Sequence, residues 1–193
     1  MTAVTAPGRH AHEEAVVLDR ARAGDRDAFS ELVRRHDRGL RALAYRLLGD
    51  RDRMDDALQE AYVRAFRALG GFRGDSSVAT WLYRIVYNAC LEELGRTRRM
   101  ADDVRLDAVV EPADPSAQLE DAVVLRSRLA DALAELPLED RGAVLLVDAQ
   151  GFDYRSAGEV LGIPEGTVAS RLNRARAALR RALEDDIEGG RGR

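Results

Sequence analysis

The sequence predicts an all-α protein made of two small helical domains. Apolar residues recur at helical spacing along almost the whole chain, and no strand-length run is rich in Val, Ile, Thr and aromatic residues. A hydrophobic share of 46% in 193 residues is enough for one or two packed cores. Residues 101–121 lose the periodicity and contain two prolines and many acids, which predicts a flexible acidic linker. Disordered tails are expected at 1–12 and 186–193.

The first domain is predicted over residues 13–100. Its helices begin near Glu13, after Gly24-Asp25, at Asp52 and after Ser76-Ser77. Most of these starts combine a residue that can cap a helix with an apolar stripe at helical spacing. The loop GGFRGDSS (70–77) precedes a longer helix, which runs from Val78 to about Arg99. We therefore expect a compact helical bundle.

The second domain is predicted over residues 122–185. Within it, the stretch GIPEGTVASRLNRAR (162–176) is typical of a tight turn that leads into a helix. Gly162 suits the left-handed position after a helix, and Pro164 suits the first turn of the next helix, where its missing N–H is not needed. Together with a short helix before the turn, this layout predicts a helix-turn-helix over residues 153–183.

The second helix of this motif has an apolar stripe and a polar face. Val168, Leu172 and Ala175 form the stripe, which packs against the short helix. The residues that point away from it are Ser170, Asn173, Arg174, Ala177 and Arg181. A major groove admits a helix in this way, with flanking arginines on the phosphates. An ordinary amphipathic helix with a solvated arginine face is the alternative.

Composition excludes several classes of protein. A single cysteine, Cys90, excludes an intrachain disulfide, and with three histidines the chain offers no metal-site pattern. We expect Cys90 to be buried as a small hydrophobe rather than exposed as a redox sensor. No apolar segment approaches about 18 residues and the N-terminus has no signal-peptide core, so we expect no membrane span and a cytoplasmic location.

Catalytic patterns are missing from the sequence as well. The stretch GGFRGD lacks the lysine of a phosphate-binding loop, and no Ser, His, Asp or Cys set has a known motif spacing. We therefore expect no catalytic residues and no cofactor. The net charge of −4 hides a segregation of charge, since residues 107–121 carry five acids and no base, while residues 171–181 carry five arginines and no acid. The net charge, taken by itself, argues against a general nucleic-acid coat protein.

Three motifs occur in order: DDALQEAYVRAFRAL (55–69), FRGDSSVATWLYRIVYNACLEEL (72–94) and GIPEGTVASRLNRARAAL (162–179). In this order, with a linker before the third, the chain resembles the extracytoplasmic-function (ECF) group of bacterial RNA polymerase sigma factors. The resemblance covers roughly residues 14–100 as sigma region 2 and 122–185 as region 4. The strings YNACLEEL and VDAQGF are most similar to the actinobacterial SigM-type members.

The resemblance implies a transcription initiation factor. Its implied partners are core RNA polymerase, at the clamp and flap regions, promoter DNA and an anti-sigma factor, with no membrane contact. The residues implied at the polymerase clamp are Asp55, Asp56, Gln59 and Glu60. Their acidic character suits a basic partner, and a solvated acidic helix face is the alternative.

The resemblance also implies a site for the minus-10 element, where region 2 opens the duplex and holds the non-template strand. The implied residues are Phe72, Arg73, Asp75, Ser76, Trp81, Tyr83, Arg84, Tyr87 and Asn88. Tyr83 and Tyr87 lie at i, i+4 away from the stripe of Trp81, so we expect them to be exposed as stacking surfaces. For Trp81, packing inside the bundle is the alternative.

Region 4 is implied to bind the minus-35 element. The implied residues are Thr167, Ser170, Arg171, Asn173, Arg174 and Arg176. Of these, Arg171 and Arg176 would hold the DNA backbone, while Ser170, Asn173 and Arg174 would face the bases.

Two other functions are compatible with parts of the sequence. A stand-alone helix-turn-helix regulator with an N-terminal helical dimerisation domain would bind a palindromic operator without polymerase. A helical interaction protein with no DNA role would tolerate Arg174→Ala and Asn88→Ala without any change in transcription.

Overall fold

The computed structural model describes residues 7–103 and 120–190, and side-chain surroundings within 13–97 and 127–184. The described residues form α-helices and no strand, which confirms the all-α prediction. The helices are α1 (Pro7–Arg22), α2 (Arg26–Leu48), α3 (Arg51–Ala68), α4 (Val78–Asp103), α5 (Glu120–Glu135), α6 (Leu138–Val144), α7 (Tyr154–Leu161) and α8 (Glu165–Gly190). A 3₁₀ turn, Leu69–Gly71, follows α3, and a π-helical segment, Leu145–Ala149, continues α6.

Both predicted tails are partly helical. Helix α1 begins at Pro7, so the disordered tail expected at 1–12 is wrong from residue 7 onward, and residues 1–6 lie outside the described part. Proline fits a first helical turn because its fixed φ is already helical and its missing N–H needs no partner there. Helix α8 continues to Gly190, inside the tail expected at 186–193.

The helices on both sides extend into the predicted linker. Helix α4 continues to Asp103 and α5 begins at Glu120, both within residues 101–121. Residues 104–119, which hold both prolines of the linker, lie outside the described part of the chain. Met100 and Ala101, which follow Arg99, are good helix formers, so α4 has no local reason to end where its apolar stripe ends.

Helices α1 to α4 form the N-terminal bundle. Of the two acids that could cap α2, Asp25 and Asp27, it is Asp25 that accepts hydrogen bonds from the backbone N–H groups of Asp27 and Ala28. Ser77 caps α4 in the same way, since its hydroxyl oxygen accepts from the backbone N–H of Thr80 at 3.0 Å. The core of the bundle consists mainly of fully buried leucines, namely Leu32, Leu40, Leu43, Leu47, Leu58 and Leu82.

Helices α5 to α8 form the C-terminal module. The apolar stripe predicted for α8 is confirmed, because Val168, Leu172 and Ala175 are each 0% exposed. Gly162 ends α7 in the left-handed conformation, with φ of 68°, and its backbone N–H bonds to the carbonyl oxygen of Gly158. The helix-turn-helix is therefore present as α7, a tight turn and α8.

The two halves pack against each other over one continuous hydrophobic core. Helix α4 of the bundle lies against α7, and α2 lies against α5, α6 and the π-helical segment. Arg141 of α6 donates a hydrogen bond to the carbonyl oxygen of Leu47, at the end of α2, over 3.3 Å. The chain is thus closed on itself, with the helix-turn-helix beside the last helix of the bundle.

Candidate nucleic-acid interface

An open cavity of about 490 Å³ lies where the loop after α3 enters α4. Its lining consists of Gly71, Phe72, Arg73, Asp75, Ser76, Trp81, Arg84 and Glu159. All but Gly71 and Glu159 belong to the set predicted for the minus-10 element, so the fold brings most of that set to one place. Glu159 comes from α7, so the C-terminal module forms part of the wall.

The aromatic wall of this cavity is a packed pair. Phe72 and Trp81 are 8% and 6% exposed, and their ring centroids are 5.2 Å apart. Arg22 of α1 lies over the Phe72 ring, 5.5 Å from its centroid, and also donates a hydrogen bond to the Phe72 carbonyl oxygen. The packing role weighed for Trp81 is therefore present, and Phe72 is buried with it.

The two tyrosines of α4 are not exposed, so the expectation of free stacking surfaces is wrong for the closed chain. The Tyr83 hydroxyl donates to the side-chain oxygen of Gln150 at 2.8 Å, and its ring meets Phe152 edge-on with centroids 4.8 Å apart. Tyr87 is 5% exposed and lies against Gly142, where an added Cβ would stand 3.0 Å from the ring. Burial raises the pKa of Tyr83 to about 12.

The remaining residues predicted for the minus-10 element are accessible. Arg73, Asp75, Arg84 and Asn88 are exposed and Ser76 is half-buried. Arg73 and Arg84 place two guanidinium groups at the cavity. Asn88 follows one turn of α4 after Arg84, which puts the two on the same side of the helix.

The acidic face that was predicted to bind polymerase lies on α3, and some of its acids form ion pairs. Asp55 pairs with Arg41 at 2.6 Å. Glu60 and Glu92 both accept hydrogen bonds from Arg64, and the bond from Arg64 lowers the pKa of Glu92. These pairs are exposed, so their net contribution to stability is small.

The rest of that face is free and includes one residue missing from the prediction. Asp56 and Gln59 are exposed, and Val63, one turn further along α3, is one of the large hydrophobic side chains left exposed, at 40%. Val63 follows Gln59 by four residues, so the sequence alone places the two side chains on the same face of the helix. The face therefore combines acid, amide and an apolar contact, as a docking surface does.

In the C-terminal module the predicted minus-35 residues fall into two groups. Ser170 and Asn173 are exposed on α8, and Thr167 is half-buried. The three arginines instead bond to acids of α6 and the π-helical segment. The pairs are Arg171 with Glu139 at 2.7 Å, Arg174 with Asp140 at 2.8 Å and Arg176 with Asp148 at 2.6 Å.

Arg174 is the residue whose surroundings differ most from the prediction. It was expected to point freely outward, but its Nε and Nη2 both bond to the carboxylate of Asp140. Arg176 is held by Asp148 in the same two-bond geometry, and this hydrogen bonding raises the pKa of Arg176. The free outward face of α8 therefore consists of small polar and apolar side chains between paired arginines.

Two further cations were not assigned any contact from the sequence. Arg180 and Arg181 are exposed, and neither has an acidic partner among the described residues. Their position about two turns beyond Asn173 extends the face of α8, and the arginine-rich end of the helix was the available signal. They are candidates for phosphate contact.

Cys90 is buried, as predicted, at 0% exposure, and burial raises the pKa of its thiol to about 12.

Within the described residues, no group of His, Cys, Asp and Glu side chains is placed to hold a metal ion. None of the described helices is long and apolar enough to cross a membrane.

Two family models match the chain. Sigma-70 region 2 matches residues 32–100, and Sigma-70, region 4 matches residues 126–179. Among curated relatives, the ECF RNA polymerase sigma factor SigM of Mycobacterium tuberculosis is 44% identical over 176 residues, which cover 91% of this chain and 87% of that protein. The RNA polymerase sigma-H factor of Pseudomonas aeruginosa is 34% identical over 181 residues, covering 87% of this chain and 92% of that protein.

Solved structures agree in fold. CnrH, solved in complex with the cytosolic domain of CnrY, is 28% identical with a TM-score of 0.69, covering 90% of this chain and 98% of that one. The sigma factor RpoE of Bartonella quintana, solved with the anti-sigma factor NepR, is 27% identical with a TM-score of 0.70, covering 81% of this chain and 96% of that one.

Proposed function

This chain belongs to the ECF group of RNA polymerase sigma factors, and we propose that its two halves recognise the two elements of one promoter. It is an alternative sigma factor, a transcription initiation factor rather than an enzyme. The observation that supports a two-part site is the presence, in one chain, of a cavity with aromatic walls and arginines beside it and of a helix-turn-helix with arginines along its second helix.

Core polymerase binds the free face of α3. Asp56 and Gln59 offer acceptors, and Val63 offers an apolar contact that water would otherwise cover. Interfaces of this kind use a small apolar centre for affinity and charges for orientation and rate of association. The C-terminal module binds a second part of the polymerase, the flap, so both halves are attached to the same partner in the cytoplasm.

The minus-10 element binds at the cavity. A volume of about 490 Å³ is within the range of sites for single small ligands, and one extruded base fits that class. Phe72 and Trp81 supply the aromatic wall, while Arg73 and Arg84 lie where the phosphates of a single strand need neutralisation. Asn88 supplies the amide that hydrogen-bonds a neighbouring base.

The closed arrangement predicts that the free protein engages promoter DNA only weakly. Tyr83 and Tyr87 can stack on bases only after Gln150, Phe152 and Gly142 move away. A polymerase that binds both halves separates them, and the strand then takes the place of the C-terminal module. An anti-sigma factor, as NepR is for RpoE in one of the solved complexes, binds this chain and prevents that change.

The decisive experiment is run-off transcription with purified core polymerase on a library of random promoters, with and without this chain. We expect transcripts only with the chain, and the selected templates to share two separated elements. Asn88→Ala then weakens selection of the downstream element, and Asn173→Ala weakens selection of the upstream one. Equal selection of a palindrome by the free chain, without polymerase, would favour the stand-alone regulator instead.

A further inference from the structure

One carboxylate of the C-terminal module is nearly buried and faces the second helix of the helix-turn-helix. Asp140, in the first turn of α6, is 6% exposed. Its two oxygens accept from Nη2 of Arg174 at 2.8 Å and from Nε of Arg174 at 3.1 Å. The Arg174 side chain is 60% exposed. The pair is therefore fixed to the protein at the acid and open to solvent at the guanidinium.

The remaining donors of Arg174 follow from the planar shape of its head group. A guanidinium has five N–H donors in a rigid fork. Asp140 takes the Nε–H and one N–H of Nη2, along one side of the plane. The donors left over are on Nη1 and Nη2 at the far end, and two of them point outward side by side. Among the described residues Arg174 has no other hydrogen-bond partner.

The neighbouring pairs lack this anchoring. Glu139, the partner of Arg171, is 70% exposed, and Asp148, the partner of Arg176, is 37% exposed. The Arg176 pair is exposed at both partners, and pairs of this kind contribute little. The Arg171 side chain is only 16% exposed, so its guanidinium is not presented to solvent. A nearly buried carboxylate cannot lose its partner without a large penalty, so Arg174 is the arginine that is both open to solvent and held by a nearly buried acid.

We infer that Asp140 is a positioning residue for DNA recognition, which holds Arg174 so that its two outward N–H groups meet a pair of acceptors on minus-35 DNA. This inference rests on the proposed function. The acceptors are either O6 and N7 of a guanine, which makes the contact specific, or two oxygens of a phosphate, which makes it independent of sequence. In both cases, fixing the side chain in advance reduces the entropy lost on binding.

Asp140→Asn tests the inference, since it keeps the size of the side chain but removes its charge and one acceptor. The assay is holoenzyme run-off transcription on templates that differ at single base pairs of the selected upstream element. If the acceptors belong to guanine, we expect discrimination at that one position to fall at least about fivefold, out of the roughly 5- to 150-fold that a bidentate arginine contact supplies. Arg174→Lys should cause the same loss, because lysine keeps the charge without the fork.

The double variant and a matched control separate positioning from packing. Asp140→Asn should have no further effect when residue 174 is already lysine. Glu139→Gln, which removes an acid from the same turn of α6, should leave discrimination unchanged. If Asp140→Asn unfolds the module, comparing Arg174→Lys with the wild-type chain still measures how much the guanidinium fork contributes to discrimination, and it leaves the buried Asp140 unchanged.

Three outcomes are informative. A loss of discrimination at one base pair supports a guanine contact. An equal loss of transcription on all templates, seen only when residue 174 is arginine, supports positioning toward phosphate. Equal effects of Asp140→Asn in both backgrounds, or unchanged discrimination together with an unchanged transcript yield in Asp140→Asn, would show that Asp140 only packs α6 onto α8. The proposed function fails separately, if the wild-type chain yields no transcript with core polymerase.

Discussion

Removing the hydroxyl of Tyr83 should loosen the closed chain and uncover the minus-10 face. This hydroxyl donates to Gln150 at 2.8 Å and joins the N-terminal bundle to the C-terminal module. Tyr83→Phe deletes that bond but keeps the edge-on ring contact with Phe152. The variant also keeps a flat aromatic surface, so any later stacking on a base is preserved.

The size of the effect follows from one hydrogen bond. A typical bond of this kind contributes about 0.5–1.5 kcal/mol net, which corresponds to a roughly 2- to 12-fold change in the ratio of open to closed chain. When the competent state is a small fraction of the total, apparent affinity scales with that fraction. We therefore expect the free Tyr83→Phe chain to bind a single-stranded minus-10 oligonucleotide about 2- to 12-fold more tightly.

Fluorescence anisotropy of a labelled oligonucleotide measures this change, and Tyr62→Phe is the matched control. The Tyr62 hydroxyl bonds to Asp37 at 3.0 Å within the bundle, so its loss lowers stability without uncovering α4. If core polymerase separates the two halves, as proposed, Tyr83→Phe should change little in the holoenzyme. Unchanged affinity of the free Tyr83→Phe chain, or an equal gain in Tyr62→Phe, would show that the Tyr83 hydroxyl does not hold the chain closed.

Three other expected outcomes follow from the same structure. Gly39→Ala should open the chain further than Tyr83→Phe, because its Cβ would overlap the Tyr83 hydroxyl and stand 2.7 Å from Gln150; the radius of gyration from small-angle scattering should rise, and an unchanged value would contradict this. Cys90 should react with a thiol reagent at pH 8 at least about a hundredfold more slowly in the folded chain than in the unfolded chain, and equal reactivity in both states would exclude its burial. Because burial raises the pKa of the Cys90 thiol from 9.0 to about 12, the free energy of unfolding should fall as the pH rises above 9. Asp148→Asn should free Arg176 for phosphate and steepen the salt dependence of holoenzyme binding by about 0.9 in the log–log slope, whereas an unchanged slope would mean that Arg176 already contacts DNA while paired.

Local periodicity was sufficient to predict the helices and their inner faces. The stripe of Val168, Leu172 and Ala175 in α8 is fully buried, as its spacing required. Asp25 caps α2 because a short acidic side chain before an apolar stripe can reach the first free N–H groups. Such features depend on residues three or four positions apart, which a sequence displays directly.

Contacts between distant parts of the chain could not be predicted in this way. The spacing of Tyr83 and Tyr87 shows that they leave the stripe of Trp81, but not that a second domain covers them. Gln150 is 67 residues from Tyr83, and Asp140 is 34 residues from Arg174. The outward face of a helix is therefore only a candidate for exposure until its tertiary neighbours are known.

We propose that the two halves of the chain cover each other until core polymerase separates them. Energy transfer between dyes on α2 and α7, attached at Arg46→Cys and Arg155→Cys, tests this proposal. Both positions are exposed, and the buried thiol of Cys90 leaves labelling to the introduced cysteines. The account predicts high transfer in the free chain and a large fall when core polymerase is added. Unchanged transfer in a holoenzyme that yields transcripts would contradict it.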